Sequence, residues 1–215
     1  MLLAPESDLK DLLGTDIPDA DGPVRSSLGV ATQILSQYLR TPLAETKGRQ
    51  DIFRLSLGPK DTTLRLSQGL VSTVTEVIAA RGLVDALDEP DALDLTNKAS
   101  WDPDRGFVTL LQDDFRGSGL SPLSGGGSAL YVRVTYDAGV LFDEGNPPIA
   151  LNAPEWLRHA ALMHAHLNLA SQGHWLITNM QGDGGGGSVN DIRTRLNLLV
   201  QSYSRYAPHA LFPVR

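Results

Sequence analysis

The spacing of the apolar residues changes twice along this 215-residue chain, and that change constrains the fold more than any other feature. Near the start, five residues recur at steps of four and three, the spacing of one face of a helix: Val24, Leu28, Ala31, Leu35 and Tyr38. Acidic residues precede Pro23, which suits the first turn of a helix. These features predict a helix over 23–40, preceded by a short amphipathic segment from Ser7.

The middle of the chain has the two-residue period of strands. Short alternating or β-branched segments follow one another at 52–57, 63–66, 71–78, 107–111 and 129–136. In the last of these, Leu130, Val132, Val134 and Tyr136 share one face of the predicted strand. The Gly- and Ser-rich stretch 117–128 has no period and is typical of a loop or hairpin tip. The pattern predicts a small antiparallel β subdomain over about 50–138.

Helical spacing returns after residue 153. One apolar stripe comprises Trp156, Ala160, Met163, Leu167 and Ala170, and a second comprises Val189, Ile192, Leu196, Leu199 and Tyr203. The last ten residues are apolar, contain two prolines and do not fit a helix. The whole order predicts an α+β fold in which three to four helices (7–40 and 153–205) form a bundle carrying an inserted β subdomain. We expect a single domain over 1–205 and an extended C-terminal arm over 206–215.

Composition and charge exclude several classes of protein. The absence of cysteine excludes disulfide scaffolds, zinc fingers, iron–sulfur sites and thiol chemistry. The net charge is −7, with 13 Lys and Arg against 22 Asp and Glu in residues 1–150. Such an acidic body argues against a wide DNA-binding surface, although DNA could slide past it without adhering. The start of the chain does not resemble a signal peptide, and the longest uncharged stretch is too polar for a bilayer, so we expect a soluble intracellular protein without membrane partners.

Catalytic and cofactor motifs are weak. His159, His164 and His166 lie five, seven and two positions apart, so no two of them share a helix face closely enough to hold one metal ion. A metal-dependent hydrolase using these residues or His174 with a distant carboxylate is a remote alternative. The run 182–187 matches a dinucleotide-binding glycine pattern by letter only, without the surrounding strand–helix–strand unit. We therefore predict no enzyme activity, no metal and no cofactor.

A series of short sequence motifs, here called phrases, provides further information on the protein class. They are Tyr38-Leu-Arg-Thr-Pro-Leu43, the Leu64–Val77 stretch containing Val-Ser-Thr-Val-Thr, Trp101 followed by Gly106-Phe-Val-Thr-Leu110, Val132-Arg-Val-Thr-Tyr-Asp-Ala-Gly139, Ala153-Pro-Glu-Trp-Leu157 and Tyr203-Ser-Arg-Tyr206. In this order, over roughly residues 7–206, they resemble the head–tail connector (adaptor) family of tailed bacteriophages, the proteins that form a ring beneath the portal. The 117–128 insert and Val140, where the family usually has an aromatic residue, depart from its pattern.

The resemblance implies a structural protein of the virion neck, assembled in the host cytoplasm. Its partners would be further copies of itself in a ring of twelve, the portal protein, and stopper or tail-tube proteins. Viral DNA would pass through the lumen without specific binding. The portal contacts implied for the arm are Tyr206, His209, Leu211, Phe212, Val214 and Arg215. Alternatively, the tail folds back over its own core, or the chain is another neck or tail-completion protein such as a stopper or tail terminator, which are usually shorter and richer in strands.

Overall fold

The computed structural model describes residues 1–13, 21–39, 42–55, 62–115, 129–172 and 189–202. Two compact units are present: Met1–Ala44 and Val140–Ser204 form a helical unit, and Glu45–Gly139 form a β unit. The predicted α+β fold is confirmed, with four helices and seven strands in the described residues. No helix in these ranges is both long and apolar enough to cross a membrane.

The helical unit is built around α2 (Asp21–Leu39) and α3 (Glu155–Ser171), with α1 (Glu6–Leu13) and α4 (Val189–Ser202) beside them. The main apolar cluster joins α1, α2 and α3 to the first residues of the chain: Leu2, Ala4, Leu9, Leu13, Val24, Leu28, Ala31, Ala165 and Leu169. Burial of such side chains contributes roughly 1.5–3 kcal/mol each, which is what holds these short helices together.

In α2 and α3 the predicted stripes lie mostly on the buried faces, whereas in α4 Leu196 is buried and Ile192 and Leu199 are half-buried. Four of the five stripe residues of α2 are buried, but Tyr38 is 67% exposed because the last turn of the helix extends past the core. In α3 the buried face is wider than the stripe, since Leu157 and Ala161 are also fully buried. A helix contacting neighbours on two sides needs such a wide apolar face, and α3 contacts α1, α2 and α4.

The β unit contains two antiparallel sheets. One has the order β1 (Thr46–Leu55), β7 (Leu130–Ala138), β3 (Val71–Arg81), β4 (Leu93–Asp94), and the other has the order β2 (Thr62–Arg65), β6 (Phe107–Leu110), β5 (Ser100–Asp102). Their inner faces share one core, which includes Phe53, Leu64, Val77, Val108 and Val132. Short 3₁₀ helices follow β3 and β6, at Val84–Asp88 and Gln112–Phe115.

Strand β7 is one of the two inner strands of the larger sheet and has the alternation that the sequence predicts. Every second residue from Leu130 to Ala138 is buried, and the residues between them are half-buried. The chain between β2 and β3 approaches the turn between β5 and β6 very closely, because a Cβ placed on Gly106 would lie 2.5 Å from the carbonyl oxygen of Gln68. Gly106 also has a φ of +67°, so both the space and the backbone conformation require glycine there.

Candidate interaction surfaces

The arm residues named for portal binding cannot be placed. Tyr206, His209, Leu211, Phe212, Val214 and Arg215 lie outside the described residues, as do the loop 117–128 and His174. Their role as portal contacts therefore stays a prediction.

Three histidines lie on α3 in three different environments. His159 is exposed, His164 is half-buried, and His166 is 7% exposed. Burial lowers the pKa of His166, because the charged imidazolium is less well solvated inside the protein than in water. His166 Nε2 is buried without a hydrogen-bond partner among the described residues, and the same is true of His164 Nδ1. The buried position and lowered pKa of His166 fit a packing residue.

The described residues contain no group of three His, Asp or Glu side chains that could hold a metal ion. His159, His164 and His166 thus have no carboxylate partner for joint metal binding in these ranges.

A buried hydrogen-bond network around Asp51 in the larger sheet was missed by sequence reasoning. Asp51 on β1 is 7% exposed and accepts hydrogen bonds from Tyr136 Oη (2.8 Å), Ser67 Oγ (2.8 Å) and Ser67 N. Arg49 Nε donates to the same Ser67 hydroxyl at 2.9 Å. The alternation of β1 places Asp51 on the same face as Phe53, so an acidic residue at an inward position was the available signal.

The surroundings of this network indicate that it holds neighbouring segments of the chain in position. Burial, as the main cause, raises the pKa of Tyr136 to about 12, so the phenol stays protonated and donates to the carboxylate. Tyr136 Oη also lies 3.3 Å from the donating Gln68 N. The network therefore fastens the segment before β3 to strands β1 and β7.

A second group of polar contacts lies on the outer face of the larger sheet, around Arg133. The Arg133 side chain is only 16% exposed and pairs with Asp88 and with Glu76 (3.5 Å). Its Nη2 also lies 3.5 Å from the Leu87 carbonyl oxygen. These contacts tie the 3₁₀ helix after β3 to the middle of the sheet.

Large apolar side chains are exposed in both units. In the β unit, Leu83 is 76% exposed at the end of β3 and Trp101 is 43% exposed on the edge strand β5. In the helical unit, Leu141 and Leu151 are joined by a 2.8 Å backbone hydrogen bond, and both side chains are exposed. Single exposed apolar residues are common on protein surfaces, and these residues are available for contact with other proteins.

Taken together, the described residues define a class: an α+β protein with a helical core, a β core and exposed apolar residues. No family model and no curated protein matches the sequence. A chain in the neck of an empty gene transfer agent particle computed with C6 symmetry is similar over 94% of this chain and 90% of its own length, at 16% identity and a TM-score of 0.37. A chain in the virion of a native gene transfer agent particle has the same coverage and TM-score at 17% identity. Similarities this low do not assign a function to the chain.

Proposed function

We propose that this chain is a structural head-to-tail adaptor of a phage neck, forming a ring that joins the portal to the stopper or tail. The observation that carries the proposal is the ordered series of phrases that resembles the adaptor family. Several of these phrases lie where one element ends and the next begins. Residues 38–43 begin in the last turn of α2, 64–77 lead from β2 into β3, and 132–139 include the end of β7 at Ala138.

The layout of the chain suits a ring subunit. Both ends of the described chain contribute to one helical unit, and a β unit is inserted between them. A ring needs two different surfaces on each copy, each complementary to the other, so that the contact repeats and closes. Permanent contacts of this kind usually bury more than about 2,000 Å² in total. The exposed apolar side chains in both units are available for such contacts.

The charge of the chain suits passage of a genome. DNA is captured by clusters of Lys and Arg that neutralise phosphates and release counterions. Residues 1–150 instead carry an excess of nine negative charges, from 13 Lys and Arg against 22 Asp and Glu. A ring wall made from such a chain lets DNA slide through without holding it. The apolar arm 206–215 anchors the ring by docking in a groove of the portal.

Assembly with the portal protein of the same virus tests the proposal. Wild-type protein should co-elute with portal rings and add a ring-shaped layer in negative-stain images. Deletion of 206–215 should abolish this binding while the circular dichroism spectrum is retained. The paired variants Phe212→Ser, expected to weaken binding, and Ala210→Ser, expected to leave it unchanged, separate the apolar contact from a general effect on the arm.

The outcomes also separate the adaptor from other neck proteins. A chain that binds tail-side proteins but not the portal is a stopper or tail terminator. A chain that stays monomeric and has no affinity for portal rings contradicts the proposal as a whole.

A further inference from the structure

The strand order of the larger sheet places two edges on opposite sides of the β unit. The order is β1, β7, β3, β4, so β1 is exposed along one edge and β4 lies at the other. Neighbouring strands are about 4.8 Å apart, which separates these edges by roughly 14 Å. The two edges of one sheet therefore cannot contact each other within the same copy.

The β1 edge is basic. Its exposed charged residues are Lys47, which pairs with Glu45 just before the strand at 3.6 Å, and Arg54, and Arg49 is half-buried. The one acidic residue of the strand, Asp51, faces inwards and is held by Ser67 and Tyr136. The Arg54 side chain has no hydrogen-bond or ion-pair partner in the part of the chain that the structure describes.

The opposite side is acidic. Five exposed carboxylates extend from the 3₁₀ helix after β3, which contacts both β3 and β7, through the following turn to β4: Asp85, Asp88, Glu89, Asp91 and Asp94. No Lys or Arg occurs between Arg81 and Lys98. Asp88 pairs with Arg133, but within the described ranges Asp85, Glu89 and Asp91 have no side-chain partner. The exposed Leu83 and Val84 adjoin these carboxylates and add apolar area.

We propose that the acidic β4 side of one copy docks against the basic β1 edge of a second copy, head to tail. This inference rests on the ring of the proposed function and names the surfaces that form it. Opposite charges on opposite sides of one unit are what a repeating heterologous contact requires, whereas a two-fold dimer would bring each surface against itself. Complementary charges also steer the approach of the copies and disfavour a reversed orientation.

The contact is made by side chains and not by an added strand. Near its start β1 is interrupted by a register shift at Gly48, whose φ is +61°. A bulge, an exposed lysine and an inward-facing acid are devices by which proteins prevent strand addition at an edge. Strand β4 has only two residues, so it offers little backbone for pairing.

Charge reversal on each side tests the contact. One variant combines Lys47→Glu with Arg54→Glu, and the other combines Glu89→Lys with Asp91→Lys. Self-association is measured by mass photometry and sedimentation velocity, alone and on portal rings, at low ionic strength, where charge effects are largest. Each variant should self-associate at least about tenfold more weakly than the wild type, because like charges then meet at the contact.

Mixing the two variants is the decisive measurement. In an equimolar mixture each reversed edge meets the reversed edge of the other variant, so assembly should return towards the wild-type level. Matched reversals on exposed residues of the helical unit, Arg193→Glu with Arg195→Glu and Asp11→Lys with Glu144→Lys, should leave assembly unchanged. Circular dichroism establishes that each variant is folded.

A failure of this inference can be distinguished from a failure of the proposed function. If the wild type forms rings and the edge variants assemble equally well, or if mixing does not rescue them, the inference is wrong and the adaptor function stands. If the wild type neither self-associates nor binds portal rings under any condition, the proposed function fails and this inference fails with it.

Discussion

Replacing Tyr136 with phenylalanine removes one hydroxyl from a fully buried position and keeps the aromatic ring that packs in the core. That hydroxyl donates to Asp51 Oδ2 at 2.8 Å and lies 3.1 Å from Ser67 Oγ and 3.3 Å from Gln68 N. Hydrogen bonds to a charged group contribute about 1.5–3 kcal/mol, and a buried group that loses its partner adds to the loss. We therefore expect Tyr136→Phe to reduce the free energy of unfolding of the β unit by about 2–3 kcal/mol.

The same strand provides a matched control. Tyr131 lies five positions earlier on the opposite face of β7, and its hydroxyl has no hydrogen-bond partner among the described residues. Tyr131→Phe should change the free energy of unfolding by no more than about 0.5 kcal/mol, as is usual for surface substitutions. The two substitutions remove the same atom, so their difference isolates the buried network.

Amide hydrogen exchange followed by mass spectrometry reads the β unit separately from the helices. A loss of 2–3 kcal/mol corresponds to exchange that is about 30- to 150-fold faster in peptides from β1, β3 and β7. Peptides from α2 and α3 serve as an internal reference. Equal exchange in the Tyr136→Phe and Tyr131→Phe proteins would refute the reasoning.

The alkaline pH dependence gives a second measure of the same hydroxyl. The folded protein holds the Tyr136 proton up to a pKa of about 12, whereas the unfolded chain releases it near 10.0. Above pH 10 the unfolded state therefore binds fewer protons, and stability falls as pH rises, by up to about 2.7 kcal/mol. This part of the pH dependence should be absent from Tyr136→Phe.

Three further predictions concern the two cores. Burial lowers the pKa of His166, so as the pH falls below 6.5 the unfolded chain takes up this proton before the folded protein does. The thermal midpoint of the wild type should therefore drop between about pH 7.5 and pH 5.5. The drop should be smaller in His166→Gln, and it should equal that of the wild type in the exposed control His159→Gln. Gly106→Ala should destabilise the β unit by at least about 2 kcal/mol in urea unfolding, because φ is +67° there and the added Cβ would lie 2.5 Å from a carbonyl oxygen. Gly29→Ala in α2, where a Cβ would meet open space, should be neutral or stabilising. Phe53→Ala should cost about 3–5 kcal/mol in the same assay, because its ring is fully buried between the sheets; a loss below about 1 kcal/mol would contradict that placement.

Local periodicity accounted for most of the elements. The stripe from Val24 to Leu35 predicts the buried face of α2, and the alternation from Leu130 to Tyr136 predicts the buried face of β7. Strand ends were less accurate: β1 begins at Thr46 although its apolar alternation begins at Ile52, since the first half of an edge strand needs no apolar face. The two-residue strand β4 is held in place by pairing with Ile78 and Ala79, which no local pattern signals.

The candidate surfaces, too, were predictable from the sequence only in part. The sequence alone shows the acidic stretch 85–94 and the basic residues of 47–54, because charge is a property of each residue. It also determines where helices and strands form, since those preferences depend on neighbours two to four positions away. Only the tertiary structure decided that Asp51 faces inwards against Tyr136, and that β1 and β4, the strand that contains Asp94, lie on opposite edges of one sheet. Both facts come from pairing between β1, β7, β3 and β4, strands far apart in the chain, and such long-range pairing is set by how the whole core packs.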